Sequence, residues 1–180
     1  MKYSTIVVDP PWPVKKIIRK TRPNQVADLD YSTMSLEEIR KLPIQKIAAD
    51  NSVLFLWTTH KYLPSAFDIM LAWGFKYQRT LTWDKGNGMS LFGFHHRTEF
   101  LLFGYRGHLD IYPRRKTIPT LLVGKSLRHS AKPDLIMRLI KDSYPEPRIE
   151  LFARGTRDGF DVWGNEAEQA VSLLEFREYI

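Results

Sequence analysis

"YSTIVVDPPWP", residues 3–13, runs a β-rich apolar stretch into an acid, two prolines and a tryptophan. Tyr3 to Val8 reads as a buried strand. Pro10 and Pro11 have no N–H, so the ladder cannot continue through them. They fix φ at two successive positions, which points the Asp9 and Pro10 carbonyls in set directions. Asp9 adds a carboxylate that accepts hydrogen bonds, and Trp12 adds a flat apolar face. The set suits a planar ring bearing an amino group. Carboxylate and Pro10 carbonyl each take one amino hydrogen, and the ring stacks on the indole, worth ~1–3 kcal/mol for a base. The amino group of adenine or cytosine is a poor nucleophile, because its lone pair is delocalised into the ring. Two acceptors held out of the ring plane favour a pyramidal nitrogen whose lone pair faces an electrophile. The contribution is positioning and electrostatic complementarity to the cation formed.

Outward from this stretch, strands and helices alternate. Residues 14–30 have no clean period and carry Lys15, Lys16, Arg19, Lys20 and Arg22, which predicts a mobile basic loop beside the site. Ser35 followed by Glu38 is a capping box that opens a helix over "SLEEIRKL". "SVLFLW" (52–57) is a second strand. "LPSAFDIMLAW" (63–73) is a helix with Leu63, Phe67, Met70 and Leu71 on one face, Pro64 near its start and Gly74 past its end. "FKYQRTLTW" is a strand, "DKGNGMSLFGFHHR" (84–97) a glycine-rich loop, "TEFLLFGY" a fourth strand and "TIPTLLV" a fifth. "KPDLIMRLIKDS" is a helix burying Leu135, Ile136, Leu139 and Ile140, "RIELFA" a strand, and "NEAEQAVSLLEFREY" (165–179) a closing helix.

The pattern predicts one α/β domain over residues 1–180, with a mostly parallel sheet covered by helices on both faces. Ligands of such sheets sit outside the carboxyl ends of the strands. Asp9, Trp57, Trp83 and Glu150 all fall at or near strand ends and are candidates to share one crevice.

The charge balance is 27 Lys and Arg against 20 Asp and Glu, a net +7, which favours a polyanion such as nucleic acid and also serves solubility. With no cysteine, disulfides, thiolate metal sites and a Cys nucleophile are excluded, in keeping with a reducing compartment. No apolar run approaches the ~20 residues of a membrane helix, and the N-terminus has no signal-peptide pattern. A cytoplasmic protein without membrane association is expected.

Asp9-Pro10-Pro11-Trp12 resembles the catalytic motif of the N6-adenine methyltransferases that include the catalytic subunit of the eukaryotic mRNA adenosine methyltransferase and short bacterial and phage forms. The resemblance extends through "YSTMSLEEIRKLPI", "VLFLWTT", "LTWDK", "RHSAKPD", "IELFAR" and "WGNE", in family order. It implies a Rossmann-like methyltransferase fold with permuted motif order, the catalytic motif first and the cofactor strand late. It implies S-adenosylmethionine as methyl donor and adenine N6 in DNA as acceptor. RNA as substrate, or a non-catalytic nucleic-acid-binding role, are the alternatives. By resemblance, Asp9 and Pro10 hold the amino group, and Pro11 and Trp12 shape the base pocket. Lys132 lies near the cofactor carboxylate and the target base, with Glu150, Phe152 and Arg154 at the cofactor strand and Asn165 and Glu166 at the ribose and adenosine end. Tyr31 and Trp57 are further target-pocket candidates. Since 180 residues leave little room for a separate recognition domain, target specificity is expected to be short or to come from a second copy or a partner subunit.

Weaker signals lie elsewhere. His95-His96 lacks a convergent ligand set, and methyl transfer to an amine needs no metal, so no metal is expected. Arg97 and Glu99 are read as a structural ion pair. Arg114, Arg115 and Lys116 suit a phosphate or a solvated turn.

Overall fold

A computed structural model describes residues 1–13, 33–109, 117–124, 132–164, 167 and 171–172. The basic segment at 15–22, Tyr31, Arg114 to Lys116, Asn165, Glu166 and most of the expected closing helix lie outside the described residues.

Seven strands among the described residues form one sheet. They are β1 (Tyr3–Val8), β2 (Ala48–Thr58), β3 (Lys76–Leu91), β4 (Phe94–Arg106), β5 (Leu121–Val123), β6 (Arg148–Leu151) and β7 (Asp161–Trp163). Their order is β5-β3-β4-β2-β1-β6-β7. The β1–β2, β1–β6, β6–β7 and β3–β5 pairs are parallel, and the β2–β4 and β3–β4 pairs antiparallel. The sheet is therefore mostly parallel, as expected, with one antiparallel strand at its middle.

Strand β1 is apolar from Ile6 to Val8 because both its faces are covered there. Ile6 and Val8 join a core with helices α1 (Leu36–Lys41), α2 (Ile44–Ile47) and α3 (Leu63–Ala72). Val7 faces the opposite core, with Val53, Phe55, Trp57 and helix α4 (Asp134–Ser143). Period-two alternation sorts one strand into two cores.

The helix ends follow their sequence signals. Ser35 Oγ accepts from Glu38 N–H at 3.2 Å, and Glu38 Oε2 accepts from Ser35 N–H at 2.6 Å. Such a cap is typically worth about 1 kcal/mol. At the end of α3, Gly74 N–H donates to Leu71 and Phe75 N–H to Met70. This is a Schellman motif, and Gly74 at φ 81° supplies its left-handed residue.

Two helix faces differ from the expected stripes. In α3 the buried residues are Ala66, Ile69 and Met70, whereas Leu71 is 70% exposed. The stripe is 66, 69, 70 and 73. Ala66 carries a weak apolar signal but lets the helix approach closely. In α4, Ile136, Met137 and Ile140 are buried and Leu135 is exposed. The short α2 and β7 are elements beyond those expected.

The largest correction concerns residues 84–97. They form no loop: β3 and β4 continue as a long hairpin turning at Phe92-Gly93. The glycines that suggested a loop sit where the register shifts between Asp84 and Met89, a bulge of the kind glycine permits inside a strand. Trp83 accordingly lies within β3, at the level where neighbouring β2 and β5 run out. No helix among the described residues is long and apolar enough to cross a membrane.

Candidate active site

Asp9 leaves the carboxyl end of β1 between β2 and β6. Its own N–H reaches only weakly to Leu151, at 3.5 Å. Trp12 N–H folds back onto the Pro10 carbonyl at 2.8 Å, and Met34 N–H donates to the Pro11 carbonyl at 2.9 Å. The prolines thus do not leave the Pro10 carbonyl wholly free. It spends one lone pair in the turn and keeps the other.

Trp12 departs from expectation. Its indole is 6% exposed, stacks on Tyr62 at 5.3 Å and 8°, and donates through Nε1 to the Trp57 carbonyl at 3.0 Å. Tyr62 in turn donates to the Pro13 carbonyl. The indole is a pin holding the turn onto the core, and its apolar area is spent on Tyr62 rather than presented to a base. Trp57 is also buried, edge-on to Trp83 at 5.9 Å, so its ring does not line an open pocket.

Lys132 stands just before α4 and meets Asp9. Its ammonium lies 3.1 Å from Asp9 Oδ2, 3.1 Å from Glu99 Oε2 and 5.2 Å from the centre of the Trp57 ring. Glu99 Oε1 also receives Lys85 at 3.0 Å. The result is an alternating chain, Asp9, Lys132, Glu99, Lys85, drawn from three parts of the sequence. Glu99 and Lys85 were not among the expected site residues. The expected Arg97–Glu99 pair is absent, because Arg97 grips Asp84 across the hairpin at 2.7 and 2.5 Å. Partners across a ribbon lie nearer than residues two apart on one strand. The β-alternation of Trp83, Lys85, Arg97 and Glu99 would have revealed the cluster, had the 84–97 stretch been read as strand.

The electrostatics follow from this packing. Burial raises the pKa of Asp9, opposed by Lys132 and Arg154, and the net shift is upward. The carboxylate nonetheless keeps a third of its surface open, so a ligand can reach it. For Glu99, burial also pushes upward, but Lys132 and Lys85 outweigh it and hold the pKa below the ordinary value. Burial works against the charge on Lys132, yet Asp9 and Glu99 together raise its pKa.

Glu150, one residue before the end of β6, is close enough to Asp9 for that carboxylate to raise its cost of ionisation. Burial is the larger cause of its raised pKa. Arg157 holds it at 2.6 Å and reaches Asp134 at 3.0 Å. Phe152 follows β6 at φ 61° and packs edge-on against Trp163 at 5.2 Å. Asp9, Lys132, Glu150 and Arg154 are thus brought to one edge of the sheet. His95 sits elsewhere, 3.0 Å from the Gly88 carbonyl, and His96 is edge-on to His60.

The donor set fits a zwitterionic, nucleoside-bearing cofactor. Two carboxylates, Asp9 and Glu150, and two cations, Lys132 and Arg154, gather at the carboxyl ends of β1 and β6, with half-buried Phe152 following β6.

Comparison with known proteins agrees. The family model MT-A70 matches residues 3–166. The chain is 30% identical to the type II methyltransferase M.MunI of a Mycoplasma species, over 92% of this chain and 78% of that protein. It is 31% identical to the human N(6)-adenine-specific methyltransferase METTL4, over 91% of this chain and 37% of METTL4. It is 28% identical to the N6-methyladenosine RNA methyltransferase MTA1 of Pyricularia oryzae, over 98% of this chain and 48% of that protein. The chain thus spans less than half the length of the latter two.

Proposed function

The chain belongs to the MT-A70 family, and on that premise we propose that it transfers a methyl group to the N6 amino group of adenine in DNA. The observation that carries this reading is the Asp9 carboxylate, set after a buried strand by two prolines and held by Lys132. The similarity to a type II methyltransferase favours DNA; the likeness to MTA1 supports RNA as a second reading.

S-adenosylmethionine, when bound, would supply an electrophilic methyl group carried on a sulfonium, with a neutral thioether as the leaving group. Lys132, Glu150, Phe152 and Arg154 would hold it, with Asn165 and Glu166 at its ribose. Asp9 accepts one amino hydrogen and the remaining lone pair of the Pro10 carbonyl accepts the other. Held this way, the amino nitrogen turns its lone pair toward the methyl group. Positive charge grows on that nitrogen as the N–C bond forms, and the fixed Asp9 carboxylate stabilises it without reorganising. Lys132 favours the ionised form of Asp9 against its burial, and Glu99 keeps Lys132 in place. The proton lost from the methylated nitrogen passes by way of Asp9's open side to water. Lys15, Lys16, Arg19, Lys20 and Arg22 would grip phosphates, as the net charge favours. Tyr31 would border the target base.

The test is incubation with methyl-labelled S-adenosylmethionine and an equal mixture of DNA and RNA, then nucleoside analysis. Label in N6-methyldeoxyadenosine supports the reading. Label in N6-methyladenosine moves the substrate to RNA, and label in neither overturns it.

A further inference from the structure

The hairpin of β3 and β4 outruns its sheet. Strand β2 ends at Thr58, opposite Phe100, and β5 pairs no further than Asp84. Beyond that level the two strands pair with each other, braced by Arg97 on Asp84 and, at the ribbon's base, by His60 on His96 and Thr98. At its tip Phe92 and Gly93 both have positive φ, 51° and 81°. These angles make the two-residue turn that suits twisted strands, for which Asn-Gly is the favoured sequence. A phenylalanine there is held in a conformation that bulky residues avoid. Its ring is 90% exposed, and Phe94 beside it is 72% exposed.

Two exposed rings need an occupant. They do not suit a second copy of this chain. Phenyl rings offer roughly 150–250 Å² each. Even counted on both copies, two such rings fall short of the ~1,200 Å² of a stable interface. The exposed Leu121 and Val123 are on β5, at the ribbon's base. At the strand rise Val123 lies about 14 Å and Leu121 about 20 Å from the level of Phe94, so the apolar surface is not continuous.

We propose that the hairpin tip is a wedge for duplex DNA, Phe92 and Phe94 entering the base stack from which the target adenine is extruded. The inference rests on the DNA reading above. The adenine N6 group faces the major groove, and that groove admits a two-stranded β-ribbon. In a duplex the target base must leave the stack before a pocket can hold it, and inserted apolar side chains are a general means of unstacking base steps. The ribbon is tied to the reaction centre. Glu99, five residues along β4 from Phe94, is paired with Lys132, which is paired with Asp9. At the strand rise this is about 17 Å. Asp9 holds the extruded base while the tip fills the vacated stack. A net charge of +7 favours the approach.

The test compares the wild type with the double variant Phe92→Asn, Phe94→Thr. Asn-Gly suits the turn and Thr suits the strand, so the variant keeps its fold, checked by thermal melting. Methylation is measured on mixed-sequence duplex DNA and on one of its strands alone. The variant should lose at least about tenfold on the duplex, the step that requires extrusion, and stay near wild type on the single strand. Equal loss on both substrates, no loss on the duplex, or conversion of a dimer to a monomer overturns the wedge. Wild type inactive on both DNA forms overturns the substrate reading, and the wedge with it. Wild type active and the variant matching it on duplex overturns the wedge alone.

Discussion

The ammonium of Lys132 lies 3.1 Å from Asp9 and 3.1 Å from Glu99, one cation bridging two carboxylates that would otherwise repel. It opposes the burial that raises the pKa of Asp9, and together with Lys85 it holds the pKa of Glu99 below its ordinary value. The strand end, the hairpin and the segment before α4 are thereby tied to one charge.

Lys132→Met keeps the length of the side chain and removes the charge. Asp9, already raised by burial, loses its main opposing influence and its pKa rises further. The acid limb of the methylation rate should move to higher pH, with the rate reduced at neutral pH. A pH–rate profile of wild type and variant checks this. An unchanged limb would remove Lys132 from the control of Asp9.

Glu99→Gln tests the far end of the bridge. The folded-state pKa of Glu99 lies below its ordinary 4.5. Its ionised form therefore stabilises the fold above pH 4.5, and that contribution is lost as pH falls through the lowered value. At neutral pH the variant should be less stable by up to about 3 kcal/mol, the low end for breaking a buried pair. Melting curves from pH 7 down to 3.5 should converge below pH 4.5. A constant gap across the range would mean the charge of Glu99 does not contribute.

Much of the site was legible in the chain because the chemistry is local in sequence. Asp9, Pro10 and the strand before them are contiguous, and an apolar strand ended by prolines has few alternatives. The Ser35–Glu38 box and the Gly74 terminus were legible for the same reason. Glu99 and Lys85 were not. Their meeting with Lys132 depends on hairpin register, and three glycines within residues 86–93 mimic a loop while in fact accommodating a bulge and a turn. The burial of Trp12 differs from the role expected of it, because an indole that fills a core and one that receives a base look alike in sequence. What separates them is Tyr62, fifty residues on, which covers the ring.

Trp12→Phe keeps the packing on Tyr62 and removes the indole N–H. The lost hydrogen bond to Trp57 should cost about 0.5–1.5 kcal/mol, and Trp12→Ala about 3–5 kcal/mol. Denaturant unfolding gives both. Methylation by Trp12→Phe should stay near wild type. A large loss of activity without loss of stability would return the indole to the base pocket.

Neutralising Lys15, Lys16 and Arg19 together should weaken binding similarly for all DNA sequences. Each lost phosphate contact should reduce the magnitude of the log-affinity against log-salt slope by roughly 0.7–0.9. Cofactor affinity should stay the same. A salt titration with the same slope for both proteins would place the phosphate grip elsewhere.

The central claim is that the Asp9 carboxylate acts on the amino group as it is methylated. The most direct measurement is the single-turnover methylation rate of Asp9→Ala on DNA, with S-adenosylmethionine affinity measured by calorimetry on the same preparation. Loss of a fixed acceptor for developing charge should slow the reaction by about 100- to 1,000-fold, or roughly 2.7–4 kcal/mol, while melting and cofactor affinity change little. A rate near wild type would contradict the account.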